Sequence, residues 1–112
     1  ITLRESARVA GAAETVNGDL RMEGAEVRRG LATVNGDIHV GAGSRLYGGI
    51  HVEKNRNKSW FNHGQQRNPR ITIEQGATVA GPLRFEREVD LYVAPGVELP
   101  EIEGVAPRRF TL

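Results

Sequence analysis

Apolar residues recur along this chain at steps of two and six. Between Thr15 and Ile50, glycine falls at positions 18, 24, 30, 36 and 48, with Ala42 at the missing step. Two residues before each of these stand Val16, Met22, Arg28, Val34, Val40 and Leu46. Two residues after stand Leu20, Glu26, Ala32, Ile38, Ser44 and Ile50. Most share one parity, the mark of short strands that turn one face to a core. The parity slips at Glu26 and Arg28, where Val27 and Leu31 are expected to take the inward positions through a bulge or corner. The hexad returns after position 70: Ile73, Val79, Phe85, Leu91 and Val97 are six apart, and so are Ile71, Ala77, Leu83, Val89 and Pro95. A helical reading fails, because the spacing is not 3.6, glycine recurs, and the apolar residues are largely β-branched or Leu.

The hexad nests inside a longer period. Thr15-Val16-Asn17-Gly18-Asp19-Leu20 returns eighteen residues later as Thr33-Val34-Asn35-Gly36-Asp37-Ile38, with a single Leu/Ile exchange. Three six-residue faces make one coil of about 18 residues. The expected fold is therefore all-β: a single-stranded parallel β-helix, or β-solenoid, whose coils stack as parallel strands about 4.8 Å apart. In that stack Val16 lies on Val34, Leu20 on Ile38 and Met22 on Val40 to build the core. Thr15 on Thr33 and Asn17 on Asn35 are expected at the surface. Gly18 and Gly36 would supply backbone conformations that a Cβ resists. A set of β-hairpins is the rival, since Val-Asn-Gly-Asp between apolar residues also signals a type I′ turn. The hexad from 71 to 97, which contains no Asn-Gly, favours the solenoid.

The 112 residues are expected to form one domain, with a first repeat block at 15–52, a loop insertion at 53–70, a second block at 71–99 and a tail at 100–112. Residues 1–14 read less clearly: Ile1-Thr2-Leu3 alternates as a strand would, and Ala7 to Gly11 resembles a degenerate repeat. Only 5% of residues are aromatic, so the core must be aliphatic. The absence of cysteine excludes disulfides, thiolate zinc sites and cysteine nucleophiles. The net charge of +1 hides a basic segment: residues 54–70 carry Lys54, Arg56, Lys58, Arg67 and Arg70 and no acid. Interleaved with Trp60, Phe61 and His63, these residues are a candidate contact surface for an anionic polymer or glycan. The alternative is that Trp60 and Phe61 fold back over a solenoid face.

Other chemistry is weaker. His39, His51 and His63 are twelve apart, which puts His39 and His51 on different faces, both pointing outward; three ligands converging within one chain are not expected. Asp19 and Asp37 should stack on successive coils as a solvated pair, too few ligands for Ca²⁺. Ser6, Ser44 and Ser59 lack a nucleophile setting. No catalytic, cofactor-binding or metal residues are assigned, and no cofactor is expected.

With the repeat phrases in view, the chain resembles a group of secreted proteobacterial proteins of unknown function built of Thr-Val-Asn-Gly repeats. The matching residues are Thr15 to Gly18, Thr33 to Gly36, Gly49-Ile50-His51-Val52-Glu53-Lys54, Trp60-Phe61, and Ile73 to Phe85 followed by Glu86-Arg87-Glu88-Val89. The glycine-spaced hexad also looks, more loosely, like that of bactofilins, polymer-forming β-helix proteins. The first resemblance implies export to the periplasm or cell surface through a signal peptide ahead of Ile1, and no catalytic residues. The second implies filaments. The expected function is thus a non-enzymatic structural solenoid of the bacterial envelope, self-assembling head to tail. Ile1 and Leu3 at one end and Phe110 and Leu112 at the other would serve as the pairing strands. The alternative is an adhesin-like binding module that uses the 54–70 loop. Nucleic acid is not expected as a partner, and no apolar run is long enough to span a membrane.

Overall fold

The computed structural model describes residues 1–16, 18–54 and 68–111. It is all-β, a parallel solenoid of about five turns with roughly 19 residues per turn. The first coil carries β1 (Thr2–Leu3), β2 (Arg8–Val9) and β3 (Ala13–Thr15). The second carries β4 (Leu20–Met22), β5 (Glu26–Val27) and β6 (Leu31–Thr33). The third has β7 (Ile38–Val40), β8 (Arg45–Leu46) and β9 (Ile50–Val52), and the fourth β10 (Arg70–Ile73), β11 (Thr78–Val79) and β12 (Leu83–Phe85). The fifth has β13 (Asp90–Val93) and β14 (Ile102–Gly104), and β15 (Arg108–Thr111) opens a further turn. Three faces result: six strands in the order β1-β4-β7-β10-β13-β15, four in the order β2-β5-β8-β11, and five in the order β3-β6-β9-β12-β14. The rod measures 42 × 26 × 20 Å.

Parallel in-register pairing makes inward side chains stack in columns. Leu20, Ile38, Ile71 and Leu91 form one. Leu31, Ile50 and Leu83 form a second, and Val27, Leu46 and Val79 a third. All are buried. Each such aliphatic side chain contributes about 1.5–3 kcal/mol by leaving water. Val27 and Leu31 do take the inward positions where the parity slips.

Three details of the repeat phrase differ from expectation, for one geometric reason. The inward pair Leu31/Thr33 is followed by Ile38/Val40, a step of seven where the neighbouring steps are six. The Val-Asn-Gly-Asp corner absorbs the extra residue. Val16, expected in the core, is 61% exposed, and Val34 is only half-buried. Thr33, expected at the surface, points inward and is fully buried, with no hydrogen-bond partner for Oγ1. Gly36 is required by a close approach, not by a left-handed backbone: a Cβ there would lie 1.9 Å from the Gly18 carbonyl oxygen of the coil below.

The insertion leaves after β9 and returns at β10. Ile38 pairs with Ile71 at an offset of 33, against 18 between Leu20 and Ile38. Both ends of the 53–70 segment belong to the coils: the Glu53 amide still donates to the Thr33 carbonyl (2.8 Å), and Arg70 opens β10.

Candidate functional site

Of the basic segment, Arg56, Lys58, Trp60, Phe61, His63 and Arg67 lie outside the described residues. At its flanks Lys54 and Arg70 are exposed. The Arg70 guanidinium lies over the Tyr92 ring, 5.2 Å from its centroid, a cation–π contact that the sequence did not suggest.

β1 and β15, the strands expected to mediate assembly, are the two edges of one six-stranded sheet. Ile1 is 55% exposed, and Leu3 is half-buried against the core. Phe110 sits on the outer face, its ring stacked on Tyr92 at 4.7 Å between centroids and 17° between planes, with Arg108 5.5 Å from its own centroid. Leu112 lies outside the described residues. In register with Leu91 stands Arg109, so a charged residue ends the column begun by Leu20. The second face stops at β11: among the described residues no strand forms between Pro95 and Pro100 in the fifth coil.

His39 and His51 lie outward on two different faces, each between two buried aliphatic residues. Each meets a glutamate from the next coil that sequence reasoning did not connect with it. His39 Nε2 is 3.1 Å from Glu74 Oε2, and His51 Nε2 is 2.5 Å from Glu86 Oε2. The partners are 35 residues apart in both cases, because the 33-residue register offset is followed by two more residues on the same side of the strand. That repeated spacing was the signal available in the sequence. The two pairs then diverge. Glu53, two residues after His51, points to the same side, and the ligand atoms of His51, Glu53 and Glu86 all lie within 4.8 Å of one another. At the equivalent place after His39 stands Gly41; Glu5 and Glu23 line the same depression, but among the described residues neither completes a group of three with His39 and Glu74.

The aspartates and Ser44 are structural. Asp19 Oδ1 accepts the Asp37 amide (3.0 Å), and Asp37 Oδ1 accepts the Arg70 amide (2.8 Å). Each carboxylate thus ties its corner to the coil above, in place of the merely solvated pair expected. Buried Ser44 accepts the Gly24 amide at 3.0 Å. Ser6 sits in a turn with φ of 70°, and Ser59 is outside the described residues. No family model, curated protein or solved structure matches this chain.

Proposed function

We propose that this chain is a non-enzymatic structural β-solenoid of the bacterial envelope that self-assembles through its end coils. The difference between its two ends carries this reading. At the first-coil end the inward positions are uncharged and mostly apolar: Leu3 stands under Met22, Val9 under Val27 and Ala13 under Leu31, with Thr15 under Thr33 the polar exception. Beside them β1, β2 and β3 each offer an open parallel ladder. Such an end accepts further coils, from its own chain or from a second copy. The opposite end carries the devices that blunt an edge. Arg109 occupies an inward position, and Pro95, Pro100 and Pro107 remove three backbone donors from the last turn.

This asymmetry bears on how copies would meet. A head-to-tail contact that continued the six-stranded sheet from β15 to the next copy's β1 would seal Arg109 between aliphatic side chains. Burying an unpaired guanidinium opposes that contact strongly. Two first-coil ends meeting each other bring together inward side chains of which only the Thr15 hydroxyl is polar and none is charged, and such a contact is isologous and closed. For residues 1–112 by themselves, the geometry therefore supports a dimer over an open filament. Light scattering over a concentration series, with electron micrographs of the same samples, tests the reading. The expected result is a discrete dimer that Leu3→Lys returns to monomer. Strictly monomeric wild-type protein at high concentration overturns it. The resemblance to exported repeat proteins supports the envelope setting, and cell fractionation that places the full-length protein in the cytosol would overturn that part.

A further inference from the structure

We propose that His51, Glu53 and Glu86 form a binding site for one divalent transition-metal ion that ties the third coil to the fourth at the base of the insertion. His51 and Glu53 are alternate residues at the end of β9, so the strand's period of two puts both side chains on the outer face. Glu86 follows Phe85, which pairs with Val52, so Glu86 stands beside Glu53 on the next coil. The Glu86 amide donates to the Val52 carbonyl at 2.9 Å, which extends the ladder to this position. Three ligands are thus presented by two hydrogen-bonded strands, a rigid support.

The donor set fits the ion. One imidazole nitrogen and two carboxylates suit Zn²⁺ and its neighbours in the first transition row, and leave room for water in a fourth position. At Zn–N and Zn–O distances of about 2.0–2.2 Å, tetrahedral ligand atoms stand about 3.4 Å apart. The ligand atoms here, from 2.5 Å between His51 and Glu86 to at most 4.8 Å, bracket that spacing. All three side chains are partly exposed, so an ion can enter and rotamers can adjust. The field is favourable as well. The adjoining depression is lined by Arg84, Glu86 and Glu103, and with Glu53 the carboxylates outnumber the guanidinium.

The molecule contains its own control. His39 and Glu74 repeat the His51–Glu86 pairing on another face, but Gly41 stands where Glu53 would be. Two ligands there give a much weaker hold than three.

Isothermal titration of tag-free, chelator-treated protein with zinc chloride tests the proposal. The expected result is one Zn²⁺ per chain. Glu53→Gln and Glu86→Gln each weaken binding at least tenfold, while the double variant His39→Ala/Glu74→Gln binds as the wild type does. In a thermal melt, Zn²⁺ raises the midpoint of the wild type and of the double variant and leaves that of Glu53→Gln unchanged. Circular dichroism confirms that each variant keeps its β-structure; the glutamine substitutions retain side-chain volume at partly exposed positions. Absence of saturable binding, wild-type affinity in Glu53→Gln, or loss of binding in the double variant would each overturn the site.

Discussion

Arg109 stands one coil above Leu91, in the column that Leu20, Ile38, Ile71 and Leu91 fill with aliphatic side chains. It is exposed there, and its guanidinium stays hydrated only while nothing stacks above it. Arg109→Leu removes that obstacle and prolongs the apolar column to the end of the sheet. The variant should form species larger than the wild type in sedimentation velocity, with filaments visible by electron microscopy. A sedimentation profile identical to that of the wild type would show that Arg109 does not end the stack.

The two copies of the repeat phrase should tolerate substitution differently despite their near identity. A Cβ at Gly36 meets the Gly18 carbonyl oxygen at 1.9 Å, a backbone atom that cannot move without shifting a whole coil corner. At Gly18 the nearest atom to a new Cβ is Thr15 Oγ1 at 3.1 Å, which a rotamer change can relieve. Overpacking of the first kind costs about 1–3 kcal/mol or more. Gly36→Ala should therefore lower the urea midpoint clearly, and Gly18→Ala by less than half as much. Equal losses would mean that the corner at Gly36 relaxes in a way the stacked coils do not suggest.

The fold was legible because one short period recurs through most of the chain, and the inward pairs from Ile38 to Val52 and from Ile71 to Leu91 keep it. What misled was the corner. Counting six residues back from Val40 assigns Val34 to the core, whereas the seven-residue step puts Thr33 there instead. Parity survives along a strand but not around a turn of unknown length. The His–Glu pairs were hidden for a related reason. Glu74 and Glu86 become neighbours of His39 and His51 only once the register across the insertion is known to be 33 rather than 18. Sequence supplied the ligand types and their faces; the offset created by the insertion decided which groups meet. The end asymmetry follows the same logic, since Arg109 reads as an ordinary surface residue until it is paired with Leu91.

Thr33 is the one internal side chain among the described residues whose buried polar atom lacks a partner. Its column continues upward through Val52 and Phe85, both apolar. Valine has nearly the same shape without the hydroxyl, so Thr33→Val keeps the packing and removes a desolvated group that makes no bond. The substitution should stabilise the protein by about 1–2 kcal/mol, read as a rise in the urea midpoint with an unchanged slope. A neutral or destabilising result would show that the hydroxyl finds a partner in solution, such as an ordered water.

The carboxylate of Asp37 holds the point at which the chain re-enters the solenoid. It accepts the Arg70 amide at 2.8 Å, and Arg70 opens β10, the first strand after the insertion. Asp19 makes the same bond one coil lower, to the amide of Asp37 itself, at 3.0 Å. The two corners are not equivalent in consequence. Below, the chain passes from one coil to the next without interruption. Above, the register at β10 must be found after a long excursion, and the loop-closure entropy is correspondingly larger. Replacing Asp37 by Ala leaves the Arg70 amide without this acceptor and should cost about 1–2 kcal/mol. Asp37→Asn keeps an oxygen in the same place and should recover half or more of the loss. Asp19→Ala should cost less than Asp37→Ala, because its corner closes no insertion. Hydrogen exchange at the Arg70 amide reads the effect directly: protection should fall in Asp37→Ala and largely return in Asp37→Asn. If Asp37→Asn loses as much protection as Asp37→Ala, charge and not the accepting oxygen governs this corner.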